Sequence, residues 1–140
     1  MVPNTRILEL GSFSDEQYGT LVALEATKEI PFEVRRAYYI YGVPENETRG
    51  HHSHNKLEQV LICVSGSVTI ALSMPGENEE EVLLDSPTKG LYIGPMVWRV
   101  MKGFSEGAVL LVFASEYFDE SDYIRDKDMY FIKAKEYFQK

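Results

Sequence analysis

The chain has 140 residues, 44% hydrophobic and 26% charged, a globular balance that excludes wholesale disorder and fits one domain over residues 1–140. Lys and Arg number 14 against 22 Asp and Glu, a formal charge of −8, which excludes a general nucleic-acid binder but leaves room for a local basic pocket. The one cysteine, Cys63, makes neither an internal disulfide nor a cysteine zinc site, and no apolar run nears the ~20 residues of a membrane helix, so a cytoplasmic address without a membrane partner is expected.

From the N-terminus, Arg6–Leu10 reads as a strand that a small barrel can lend to a second copy. Thr20–Leu24 alternates weakly, and Val34–Tyr41 is rich in Tyr and Ile before the turn at Gly42 and Pro44. Gln59–Val64 is almost continuously apolar and stops at Ser65 and Gly66. Ser67–Met74 places Val68, Ile70 and Leu72 inward and Thr69, Ala71 and Ser73 outward, then meets Pro75 and Gly76. Glu77–Glu81 is an acidic hairpin tip, expected to be solvated and to discourage edge-to-edge pairing. Glu81–Leu84, Leu91–Ile93, Val97–Met101 and Ala108–Ser115 continue the series, which predicts an all-β sandwich or barrel. Over Ser121–Lys140, aromatic pairs at helical spacing predict a C-terminal helix laid on the barrel, with Glu120–Asp122 starting one helical turn.

The three histidines fall at positions 51, 52 and 54, just after Arg49. On an extended strand His52 and His54 project to one face, and Glu58 follows. Two imidazoles and a carboxylate suit a divalent metal. They equally suit metal-free proton handling, because imidazole titrates near neutrality with a pKa of about 6.5. Three surface histidines at a strand start are the plain alternative.

The run His52-x-His54-x-x-x-Glu58, with Gly66 and a later Gly90 to Pro95 segment, resembles the cupin signature. Four segments sharpen that likeness: residues 36–40 (RAYYI), 49–61 (RGHHSHNKLEQVL), 85–98 (DSPTKGLYIGPMVW) and 119–125 (DESDYIR). Together they resemble the sugar 3,4-ketoisomerases acting on dTDP-4-keto-6-deoxyglucose, from about Gly19 to Arg125. The resemblance implies a small cupin β-barrel or jelly roll with a short C-terminal helix, a dTDP-linked 4-keto-6-deoxyhexose as substrate, no cofactor, and a homodimer. The second cupin motif usually supplies a further histidine, whereas residues 95–99 read PMVWR. Arg99 stays protonated and is no ligand, so no metal is expected.

Moving a ketone from C4 to C3 requires a base for the C3 proton, a stabiliser for the enediolate and an anchor for the nucleotide. The resemblance makes His52 the base, with His54 and Tyr38 orienting the sugar or relaying a hydroxyl proton. Arg49 and Arg99 counter the diphosphate or the enediolate. Trp98 stacks on thymine or belongs to the core, and Glu58 holds His54 or Lys56. Asp122, Tyr123 and Arg125 lock the C-terminal segment. The family has two branches, distinguished before Gly19 and after Trp98; Tyr18 and Arg99 resemble the branch giving dTDP-3-keto-6-deoxy-D-glucose. A galacto product, a dTDP-sugar epimerase and a non-catalytic sugar-binding cupin module are the alternatives.

Overall fold

The computed structural model describes residues 1–139. In chain order the first strands are β1 (Thr5–Glu9), β2 (Phe13–Asp15), β3 (Gly19–Leu21), β4 (Arg36–Tyr41), β5 (Arg49–His54) and β6 (Gln59–Ser65). They are followed by β7 (Val68–Ser73), β8 (Glu80–Leu84), β9 (Lys89–Ile93), β10 (Trp98–Lys102), β11 (Val109–Ala114) and β12 (Tyr123–Ile124). A 12-residue helix, α1 (Lys127–Phe138), closes the series. One five-stranded sheet runs β1-β9-β6-β11-β4 and a second runs β12-β5-β10-β7-β8, while β2 and β3 form a separate hairpin. Every strand pairing is antiparallel. The expected all-β jelly roll with a short C-terminal helix is what the chain forms.

The interior is filled by alternation. Val68, Ile70 and Leu72 are wholly buried in one apolar cluster with Leu84, Leu91 and Leu110. β6 is buried on both sides, which is why its sequence is continuously apolar. Leu61 and Cys63 join the interior cluster, whereas Val60 and Ile62 face a second cluster with Leu10, Ile30 and Phe32. That second cluster also takes Val22 and Leu24, so the expected strand over Thr20–Leu24 ends at Leu21 and the chain then wraps the sheet. β1 pairs with β9 of its own chain, Thr5 opposite Ile93 and Glu9 opposite Lys89. At the acidic tip, Glu77 and Glu79 are exposed, but Glu80 and Glu81 belong to β8. Glu80 accepts from the Val2 backbone N–H at 3.1 Å, and Glu81 pairs with Lys102 at 2.5 Å.

The helix begins later than the aromatic spacing predicts. Asp119 caps a single 3₁₀ turn at Glu120–Asp122, the chain then extends as β12 along β5, and only Asp126 starts α1 by accepting from the Met129 N–H. Tyr130 and Ala134 are its buried residues, while Phe131, Ile132 and Tyr137 are exposed. The Tyr130 hydroxyl lies 3.1 Å from the carbonyls of both Ser73 and Met96, tying α1 to the outside of the second sheet. Lys140, at the end of the expected helix, lies outside the described residues.

Candidate active site

The histidine run is split by a β-bulge. Arg99 stands opposite His52 and Val100 opposite Gly50, so His51 is the extra residue of the pairing. Gly50 has φ 92° and His51 φ 55°. A Cβ at Gly50 would sit 3.0 Å from the Arg99 carbonyl oxygen, which is why glycine occupies that corner. His51 is exposed at the rim of the cleft that opens here, its Nε2 2.8 Å from the Thr48 hydroxyl. His52 and His54 turn inward, with ring centroids 4.8 Å apart at 84°. Tyr123, brought alongside by the β12–β5 pairing, has its ring centroid 5.0 Å from that of His52 and 4.3 Å from that of His54.

Above this pair opens a cleft of about 540 Å³ between β4 and β5, lined by Arg36, Tyr38, Arg49, His52, Met101, Phe118, Tyr123 and Arg125. Arg36 and Tyr38 face it together because they sit two residues apart on β4. The Arg36 guanidinium carbon lies 5.3 Å from the Tyr38 ring centroid and 5.7 Å from that of Phe118, and its buried Nε has no partner among the described residues. Arg125 is neutralised by Glu120, at 2.7 and 3.0 Å. Among the described residues neither Arg36 nor Arg49 has a carboxylate partner. The cleft therefore offers two uncompensated guanidinium groups, chemistry that suits a diphosphate.

Below the cleft the barrel interior is polar. Arg99 is 0% exposed and lies outside the cleft lining. Its Nη1 donates to Gln59 Oε1 at 2.6 Å, and its Nε and Nη2 donate to the Val97 carbonyl at 3.3 and 3.0 Å. Gln59 Nε2 in turn donates to the Tyr38 hydroxyl at 3.0 Å. His54, 1% exposed, places Nδ1 3.2 Å from Asp122 Oδ2. A carboxylate only accepts, so Nδ1 carries the proton and Nε2, which has no partner among the described residues, is bare. Asp122 also accepts from the backbone N–H groups of Lys56 and Leu57.

Burial, and next the Arg99 guanidinium, pull the His52 imidazole down to about 3. The same two causes hold His54 far below the ordinary imidazole range. Burial brings Arg99 down to about 10, and raises the Tyr38 phenol against a smaller lowering by the Gln59 hydrogen bond. Both inward histidines are thus neutral at pH 7, and His52 borders the cleft as a neutral imidazole.

Of the residues singled out in the sequence, His52, Tyr38 and Arg49 line the cleft, and His54 and Arg99 lie beneath it. Of the two roles open to Trp98 the structure takes the core one: it is buried with its ring centroid 5.3 Å from that of Tyr130 and lies outside the cleft lining, so the stacking role is the one corrected. Two expectations are corrected outright. Glu58 precedes the inward-facing Gln59 and points out of the barrel, accepting from the Tyr92 hydroxyl at 2.6 Å; it holds neither His54 nor Lys56. Tyr18, 81% exposed beside the β2–β3 turn, is not in the cleft of its own chain. Asp122 and Tyr123, expected only to lock the C-terminal segment, contact the histidines directly. Arg36 and Gln59 were missed, although each left a signal: Arg36 shares the alternation of Tyr38, and Gln59 is the polar residue that opens an apolar strand.

The chain matches the family described as "FdtA: WxcM-like, C-terminal" over residues 3–135. It is 51% identical over 110 residues, 79% of this chain and 78% of the relative, to the TDP-4-oxo-6-deoxy-alpha-D-glucose-3,4-oxoisomerase of Aneurinibacillus thermoaerophilus. It superposes with TM-score 0.95 and 51% identity on QdtA, a sugar 3,4-ketoisomerase of Thermoanaerobacterium thermosaccharolyticum solved with TDP, covering 99% of each chain. A histidine-to-asparagine variant of QdtA, also at TM-score 0.95, holds TDP-4-keto-6-deoxyglucose. The WlaRB TDP-quinovose 3,4-ketoisomerase of Campylobacter jejuni superposes at TM-score 0.88 with 48% identity, over 94% of this chain and 99% of that one.

Proposed function

This chain belongs to the FdtA family of cupin-type sugar 3,4-ketoisomerases, and from that premise we propose that it converts TDP-4-keto-6-deoxy-D-glucose to TDP-3-keto-6-deoxy-D-glucose, without a metal. One observation carries the reading: a neutral, unprotonated His52 at the cleft edge, within the same lining as two guanidinium groups that lack carboxylates. His52 takes the C3 proton, the C3–C4 double bond forms, and O4 takes a proton to give the enediol. Reprotonation at C4 and loss of the O3 proton leave the ketone at C3. Arg49 and Arg36 meet the diphosphate, because Arg99 is enclosed and spends its donors on Gln59 and Val97. Tyr38 and His54 orient the sugar.

The gluco product follows from the branch likeness of Tyr18 and Arg99. It needs a proton on the upper face at C4, opposite the face from which His52 withdraws the C3 proton, so a second donor or a water completes the reaction. Tyr18 reaches a sugar only if the β2–β3 hairpin crosses to a second copy. The exposed Phe13, Leu21, Tyr39 and Tyr41 support such a homodimer. We place the enzyme in the cytoplasm, as one catalytic domain supplying deoxysugars for surface polysaccharide.

The test is incubation with TDP-4-keto-6-deoxyglucose in D₂O. Deuterium at C3 or C4 is expected, and the same reaction run in H₂O should give the H4–H5 coupling of an equatorial C4 hydroxyl. Label at C5 would make the protein an epimerase, an axial hydroxyl would give the galacto product, and no exchange would leave a binding module.

A further inference from the structure

We infer that Gln59 is a positioning residue for this isomerisation: locked by Arg99, it donates to the Tyr38 oxygen and so forces the Tyr38 hydroxyl proton toward the cleft. The inference rests on the isomerase reading and goes beyond it, because Gln59 lies outside the cleft lining.

Donors and acceptors fix the orientation of the Gln59 amide. A side-chain amide has an oxygen end and a nitrogen end, and which way it lies is decided by its partners. A guanidinium has no acceptor. With Arg99 Nη1 2.6 Å away, the end of Gln59 facing it is the oxygen, since the reverse would set two donors against each other. The amide nitrogen therefore faces the Tyr38 hydroxyl at 3.0 Å, and the phenol oxygen accepts. Its own hydrogen must then point elsewhere, and Tyr38 borders the cleft. Arg99 is held in place, because its other nitrogens donate to the Val97 carbonyl and its side chain is fully buried.

The three residues come from three strands. Arg99 on β10 belongs to one sheet, Gln59 on β6 and Tyr38 on β4 to the other, so the chain of hydrogen bonds crosses the barrel interior. It delivers a fixed donor to the place where negative charge develops on a sugar oxygen, the arrangement that stabilises an enediolate most effectively. The buried guanidinium thus acts on the substrate through Gln59 and Tyr38, without touching it.

Gln59→Glu tests this. The carboxylate keeps the shape and pairs with Arg99, but it has no donor for Tyr38. The Tyr38 proton is then drawn to residue 59 and away from the cleft. We expect kcat to fall by about 10²-fold, the loss typical of one missing oxyanion donor, with KM and TDP affinity changed by less than about threefold. The deciding measurement is the cycle with Tyr38→Phe: once the phenol is gone, Gln59→Glu should cost nothing more, because residues acting as a unit are not additive. Titration of ¹³C-labelled tyrosine should place the Tyr38 phenol higher in Gln59→Glu than in the wild type. Gln59→Met, uncharged, carries the same cycle if the glutamate variant does not fold. An unchanged kcat in Gln59→Glu, or an equal loss in the Tyr38→Phe background, overturns the inference while leaving the isomerase reading intact. A wild type that exchanges no deuterium overturns the isomerase reading itself.

Discussion

Leu84, Ile70 and Leu91 lie fully buried within one apolar cluster, whereas Arg99, His54 and Gln59, almost as deeply enclosed, bring charge and polar atoms into the same barrel. The first set is what a folded core requires, each leucine-sized side chain contributing about 1.5–3 kcal/mol by leaving water. The second set works against folding. An enclosed guanidinium without a carboxylate is costly even when its hydrogen bonds are made. Among the described residues His52 Nδ1 and His54 Nε2 have no hydrogen-bond partner. Within one barrel, stability and chemistry are thus assigned to different side chains, and substitutions in the two sets should affect different measurements.

The largest effect is expected in the polar set. His52→Asn keeps the volume and removes the proton acceptor, so kcat should fall by at least ~10²–10⁴, while TDP affinity and the thermal midpoint stay close to wild type. Retention of more than about a tenth of the activity would assign the base to another residue. The converse is Leu84→Ala on β8, where a wholly buried side chain is cut back. Stability should drop by ~2–5 kcal/mol, read from the denaturant midpoint, with kcat at 25 °C unchanged. A kcat loss without a stability loss there would erase the distinction.

How far the sequence foretold these two sets differs sharply. The apolar set was legible because period-two alternation is local: Val68, Ile70 and Leu72 read as inward from their own segment. His52 and His54 were legible for the same reason. Their surroundings were not. The bulge at His51 depends on how β5 registers against β10, which no feature of residues 49–54 specifies alone. The facing of Trp98 depends on where α1 lies. That in turn hinges on Asp126 capping the helix while Asp119, equally suitable by type, caps only one turn. Gln59 meets Arg99 and Tyr38 from strands far apart in sequence, so nothing local announces the contact.

Acid should expose the cost of the polar set next. Burial holds His52 at about 3 and His54 lower still, while in the unfolded chain both return to about 6.5. Below 6.5 the unfolded state therefore binds protons that the folded state refuses, and stability rises with pH through this window. The contribution is complete above 6.5 and is lost as the pH falls toward 3. Between pH 7 and 5 each imidazole should remove about 2 kcal/mol. His52→Asn has one such group fewer, so its urea midpoints at pH 7 and 5 should lie closer together than those of the wild type. Identical slopes would show that His52 protonates freely in the folded protein.

The smallest expected effect is none at all, and it bears on the same polar set. Two inward imidazoles 4.8 Å apart resemble the start of a metal site, yet their neighbours argue against one. Arg99 is the strongest charge acting on both rings, and it lowers their affinity for a proton. A divalent cation placed between the rings would feel the same repulsion with twice the charge. The carboxylate needed to complete a ligand set, Glu58, points out of the barrel and is engaged by Tyr92. Asp122 is committed to His54 Nδ1 and to two backbone N–H groups. Dialysis against EDTA should therefore leave kcat unchanged, and elemental analysis should find no stoichiometric metal. Activity lost to the chelator and regained only with an added divalent ion would mean that the Arg99 field is overcome, and the base would then need to be sought at a metal-bound oxygen instead of His52.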